Sequence, residues 1–151
     1  MKEVNFWDYL IEKPVCLIFW NLPQGKNKIV DFFSTNTEIK EIKNKEELLY
    51  WLKIGKVKII ILAVYNISDV KEIKETIDNL PAEKRREIFV IFISPEVKTL
   101  DPHSTFVFGV NLLLNINDVN FIDKIYKQAT QYWEFLYKPY LRTYQKLMEE
   151  I

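Results

Sequence analysis

Glycine is scarce in this chain: Gly25, Gly55 and Gly109 are the only three in 151 residues. A phosphate-cradling loop needs several glycines within a few positions, so the P-loop and dinucleotide-binding fingerprints are excluded. Cysteine is scarcer. Cys16 stands alone inside the apolar run VCLIFW, which rules out a disulfide within the chain and reads as a small core residue. The single histidine, His103, sits beside Asp101 without a nucleophile or second metal ligand near it in sequence, and reads as an exposed loop residue. Net charge is missing as well. Lys plus Arg equals Asp plus Glu at 21 each, so nothing pulls the chain toward nucleic acid or anionic lipid. No apolar run approaches the ~18 residues of a membrane-spanning helix. The N-terminal MKEVNFWDYLIEK interrupts its apolar portion with acids, unlike a secretion signal. A cytoplasmic protein is expected, with no membrane or nucleic-acid partner.

What the chain does have is apolar strand material. KVKIIILAVY (56–65) contains an unbroken apolar run from Ile59 to Val64, rich in β-branched residues and bounded by Gly55 and by Asn66, Ser68 and Asp69. Such a run is a strand buried on both faces, the centre of a parallel sheet. Two more runs share the pattern, Val15–Trp20 and Ile88–Ser94, and VNLLLN (110–115) supplies a fifth strand. Thr37–Lys43 is charged and suits a sheet edge.

Helical signals fall between the strands. Ile29, Phe32 and Phe33 have i, i+3, i+4 spacing. Asn44 with Glu47 makes a capping box for a helix over 45–54, whose expected apolar face is Leu48, Leu49 and Leu52. Val70, Ile73, Ile77 and Leu80 mark another, ended by Pro81. The following AEKRRE reads as a solvated turn, with an anion site at Lys84, Arg85 and Arg86 as the lesser alternative. Near the N-terminus, FWDYLI (6–11) suggests a short helix burying Phe6, Leu10 and Trp7.

Five strands alternating with helices, with weak strands at positions two and five, give a three-layer flavodoxin-like α/β fold of strand order 2-1-3-4-5. The expected organisation is a helical extension (1–13), a domain (14–137) and a C-terminal helical extension (138–151). From Asp118 onward the chain reads as one long helix, either broken at Lys138–Pro139 to fold back or projecting past its domain. Its second half carries Trp133, Tyr137, Tyr140, Leu141, Tyr144 and Leu147, more apolar surface than one stripe requires.

With this element order the chain resembles the receiver domains of bacterial two-component response regulators, over residues 14 to about 135. The resemblance implies acids after strand one, a phosphoacceptor Asp ending strand three, Ser or Thr ending strand four and Lys ending strand five, together binding magnesium. Here the corresponding residues are Trp20 and Asn21, Ala63 or Val64, Ser94, and Asn115 or Ile116. Only Ser94 matches. Magnesium prefers carboxylate oxygens and an aspartyl phosphate needs an aspartate, so a receiver-like fold without its switch is expected. The leading expectation is therefore a non-enzymatic interaction module, needing no metal or cofactor and forming a homodimer through the C-terminal helix. The alternative is a small-molecule or nucleotide binder using the strand ends, where Trp20, Asn21, Ala63, Asn66, Ser94 and Asn115 gather.

Overall fold

A computed structural model describes residues 5–149, with the side chains of 137–145 outside the description. Five parallel strands form one sheet in the order β2-β1-β3-β4-β5. They are β1 (Val15–Trp20), β2 (Glu38–Glu41), β3 (Val57–Ala63), β4 (Phe89–Ser94) and β5 (Leu112–Asn115). The expected order is the observed one. The apolar runs decide it, because only strands covered on both faces can be continuously apolar. β1, β3 and β4 occupy the middle, while charged β2 and four-residue β5 lie at the edges.

The helices are α1 (Phe6–Tyr9), α2 (Lys26–Phe33), α3 (Lys45–Ile54), α4 (Lys71–Asp78), α5 (Ala82–Arg86), α6 (Pro102–Phe108) and α7 (Ile122–Glu149). Alternation along each strand separates two cores. Val15, Leu17, Ile60, Leu62, Phe92 and Leu113 face the layer that holds α3 and α4. Cys16, Ile18, Ile61, Ala63, Ile93 and Leu112 face α2 and α7.

Local signals act as their chemistry requires. The Asn44 side chain accepts from the Glu47 N–H at 2.9 Å, and Gly55 ends α3 in the left-handed region at φ 85°. The buried stripe of α3 is Leu48, Trp51 and Ile54, whereas Leu49 points outward. That corrects the expected face by about one residue's 100° turn, with the large Trp51 indole choosing the rotation. The charged run after Pro81 is not a turn but the short helix α5.

α1 departs furthest from expectation. Phe6 and Trp7 are 68% and 71% exposed, and Leu10 is also exposed, so no apolar face is buried. Polar contacts hold the segment instead. Tyr50 bonds to Asp8 and to the Asn5 N–H, and the Lys56 ammonium donates to the Tyr9 and Ile11 carbonyls. One turn of helix is too short to form a stripe, so its attachment falls to individual hydrogen bonds.

α7 is a single helix of 28 residues that runs through Pro139 and across position 137/138 without interruption. Its length, about 42 Å at 1.5 Å per residue, exceeds that of seven-residue β3, about 23 Å. The helix therefore outruns the sheet on which Ile122 and Ala129 seat it. No helix among the described residues is long and apolar enough to cross a membrane.

Candidate functional site

The six strand-end residues do come together, but their polar groups serve the loops around them. Asn115 is the clearest case. Its Nδ2 donates to the carbonyls of Val97 (2.8 Å) and Pro95 (3.3 Å), and its Oδ1 accepts from the Asn117 N–H at 2.9 Å. Thr99 Oγ1 accepts from the Asn115 N–H at 2.8 Å and donates to Asp118 at 2.6 Å. The fully buried Ser94 hydroxyl donates to the Tyr65 carbonyl at 2.8 Å and accepts from the Glu96 N–H at 3.0 Å.

Trp20 Nε1 donates to the Leu22 carbonyl, and Asp69 returns a bond to the Asn66 N–H. Ala63 is sealed at 0% exposure, in register between Trp20 and Ile93. Asn21 is exposed, with its N–H donating to the Ala63 carbonyl at 2.8 Å. Above β1, Gly25 sits at φ 90°, and a Cβ there would meet Ile116 Cδ1 at 2.8 Å, so the β1–α2 loop is packed against the turn after β5. This end of the sheet is wired and largely closed.

Cys16 belongs to the packing. Burial pushes its thiol up from 9.0 to about 12, against a smaller lowering by the Thr37 hydroxyl. A thiol kept protonated is a poor nucleophile. The native protein should leave Ellman's reagent unreacted at pH 8 and release one thiol per chain once unfolded. Rapid reaction of the native protein would contradict the burial. The sign with pH follows: the unfolded chain loses this proton near pH 9 while the folded chain keeps it. The thiol's contribution to stability is therefore present below pH 9 and lost as pH rises toward 12.

An open space lies elsewhere, along the outer edge of β5. α6 fully buries none of its own residues, although Phe108 packs edge to face on Phe92 of β4, and a cavity of about 740 Å³ lies between α6 and α7. The wall is mainly apolar, formed by Leu112 and Leu113 of β5, Ala129, Tyr132 and Leu136 of α7, and Phe106 of α6. Phe106 is 86% exposed and flanks the mouth.

Hydrogen bonds fix the frame of this cavity. Asn111 extends the β4–β5 ladder by one rung: its N–H donates to the Val90 carbonyl, and its Oδ1 accepts from the Val90 N–H at 2.9 Å. The Asn111 carbonyl in turn accepts from Trp133 Nε1 at 2.7 Å. Arg85 bridges two segments, donating through Nη1 to the Ile88 carbonyl (2.8 Å) and through Nη2 to the Gly109 carbonyl (3.1 Å). Leu100, also on the wall, holds a left-handed backbone at φ 61°, the one non-glycine residue with positive φ among the described residues. Its N–H is tied to the Leu113 carbonyl at 3.0 Å. Strain of this kind gathers at ligand-binding positions.

Of the residues expected to form an outward-facing surface on α7, Trp133 is half-buried and bonded to its own domain, as just described. Leu147 is exposed. The side chains of Tyr137, Tyr140, Leu141 and Tyr144 lie outside the described residues. No group of three His, Cys, Asp or Glu side chains gathers to hold a metal among the described residues. Local sequence carries no sign of the cavity, because its walls come from residues 85 to 136 with no shared periodicity.

No family model and no curated protein matches this chain. Among solved structures, it is similar to the crystal structure of a cobalamin-binding protein from Desulfitobacterium hafniense DCB-2. The two are 15% identical with a TM-score of 0.52, over 76% of this chain and 60% of the other. This chain thus spans less than two thirds of that protein's length. The likeness establishes a shared α/β architecture, the flavodoxin-like order derived above.

Proposed function

We propose that this chain is a small-molecule-binding domain of flavodoxin-like fold, and that its ligand occupies the cavity beside β5. One observation carries the reading: a space of about 740 Å³, within the ~300–1,000 Å³ range of small-molecule sites, bounded by apolar and aromatic side chains. The structural neighbour adds support, since that protein is a cobalamin-binding protein. This corrects the interaction module expected from the sequence. The reading that fits the neighbour is the small-molecule alternative, and Trp133 lies against its own domain.

His103, the single histidine, is not on the wall of the cavity, so this chain offers no imidazole to a cobalt ion there. The class carried forward is a small molecule with an apolar body.

The neutral fluorophore N-phenyl-1-naphthylamine tests this. It should bind one per chain with a blue-shifted, enhanced emission. Ala129→Phe, which fills the cavity from α7, should weaken binding at least tenfold. Overpacking at this buried position costs about 1–3 kcal/mol, so Gln128→Trp, at an exposed wall position, provides the second variant. Absence of binding, or equal binding by wild type and both folded variants, would overturn the assignment.

A further inference from the structure

The cavity stops short of the strand ends, and two consecutive loop residues form the barrier. Val110 to Leu113, four residues in a row leading into and along β5, lie on its wall, about 13 Å of extended chain. At Leu113 the β4–α6 loop crosses the edge of the sheet. Leu100 donates its N–H to the Leu113 carbonyl at 3.0 Å. One residue earlier, Thr99 Oγ1 accepts from the Asn115 N–H at 2.8 Å and donates to Asp118 at 2.6 Å. The crossing is thus tied to β5 at both residues, and to the segment that follows β5.

The side chain of Leu100 lines the cavity at this crossing. It is half-buried and packs on the core shared by Leu112, Leu114 and Ala129. Its backbone stands at φ 61°, where a Cβ crowds the carbonyl oxygen and glycine is the usual occupant. A leucine in that conformation persists only where its surroundings over-determine it. Here the bonds to Leu113 and Asn115 do so, and they hold a branched apolar side chain at the end of an apolar space.

We propose that Leu100 sets the length of ligand the cavity accepts, acting as a stop between that space and the carboxyl ends of the strands. The proposal rests on the small-molecule reading above and adds to it a limit on ligand shape. An apolar chain lying along β5 gains affinity with each methylene it buries, about fourfold apiece, until its end meets Leu100. Further methylenes have no apolar surface to reach, and the gain ends there.

The test is a homologous series, 1-hexanol to 1-dodecanol, each displacing N-phenyl-1-naphthylamine from the full chain. Wild-type affinity should climb with length and then level off. Leu100→Ala should move the levelling-off point up by about two methylenes, the reach vacated by the missing carbons, and leave the shortest alcohols unchanged. Leu100→Phe should move it down. Leu100→Gly is the further variant: it suits the left-handed backbone and should match Leu100→Ala, which keeps the test sound if alanine disturbs the loop. A levelling-off point that stays fixed in all three variants, or a weakening equal at every length, would overturn the role of Leu100 and leave the small-molecule reading standing. Failure of the fluorophore to bind the wild type would remove that reading and this proposal with it.

Discussion

Ala63→Asp is expected to destabilise the protein by roughly 3–5 kcal/mol, the cost of an uncompensated buried charge. Ala63 is fully buried at the end of β3, with Ile18, Ile61, Ile93 and Leu114 in the same core. In a chain of this size 1 kcal/mol moves the melting temperature by about 2–4 °C, so a fall of about 6–20 °C should be seen. A buried carboxyl can lessen the penalty by staying protonated, which raises its folded-state pKa. The damage should then be smallest at low pH and grow as pH rises above ~4, where the unfolded aspartate has already ionised. Thermal melts at pH 4 and pH 8 check both the size and the sign. An unchanged melting temperature would mean that solvent reaches the end of β3 and that the strand ends are open.

The second large effect is expected at Asn115. Replacing it by alanine removes the bonds to Pro95, Val97 and Asn117 at once, and these tie the β4–α6 loop to the end of β5. At about 0.5–1.5 kcal/mol net per hydrogen bond, the loss should be about 2–3 kcal/mol by urea unfolding. Asn115→Asp keeps the acceptor for the Asn117 N–H but turns a carboxylate oxygen toward the Pro95 and Val97 carbonyls, so at neutral pH it should cost at least as much as alanine. A loss below ~0.5 kcal/mol would show that water replaces the side chain easily. The strand-end residues would then be available to a ligand.

These two positions also show how far the sequence could be read. Ile59–Val64, Val15–Trp20 and Ile88–Ser94 disclosed the sheet and its order because a doubly covered strand leaves an unbroken apolar run, a local signal. Asn44 and Gly55 marked the limits of α3 because capping acts over three or four residues. The roles of Ser94 and Asn115 were less legible. Both residue types suit ligand contact and loop bracing equally well, and only their partners, up to 29 residues away, distinguish the two.

The cavity was beyond reach for a related reason. Its walls come from α5, α6, β5 and α7, distant segments that Arg85, Asn111 and Trp133 bridge. Lys84, Arg85 and Arg86 stood out as a basic run, but nothing in the sequence between them and α7 joined that run to a cavity. The exposed faces of Phe6, Trp7 and Leu49 illustrate the converse, since apolar residues on short elements need not be buried.

The central claim is that a small molecule binds along β5 and not at the carboxyl ends of the strands. The direct measurement is a titration of the ¹⁵N-labelled protein with N-phenyl-1-naphthylamine, followed through its amide resonances. Binding in the cavity should shift the amides of residues 100–113 and 128–136 together, saturating at one probe per chain, while Asn21, Tyr65, Asn66 and Glu96 stay in place. Shifts concentrated at Asn21, 64–66 and 94–96, with 105–113 unmoved, would contradict it and return the site to the strand ends.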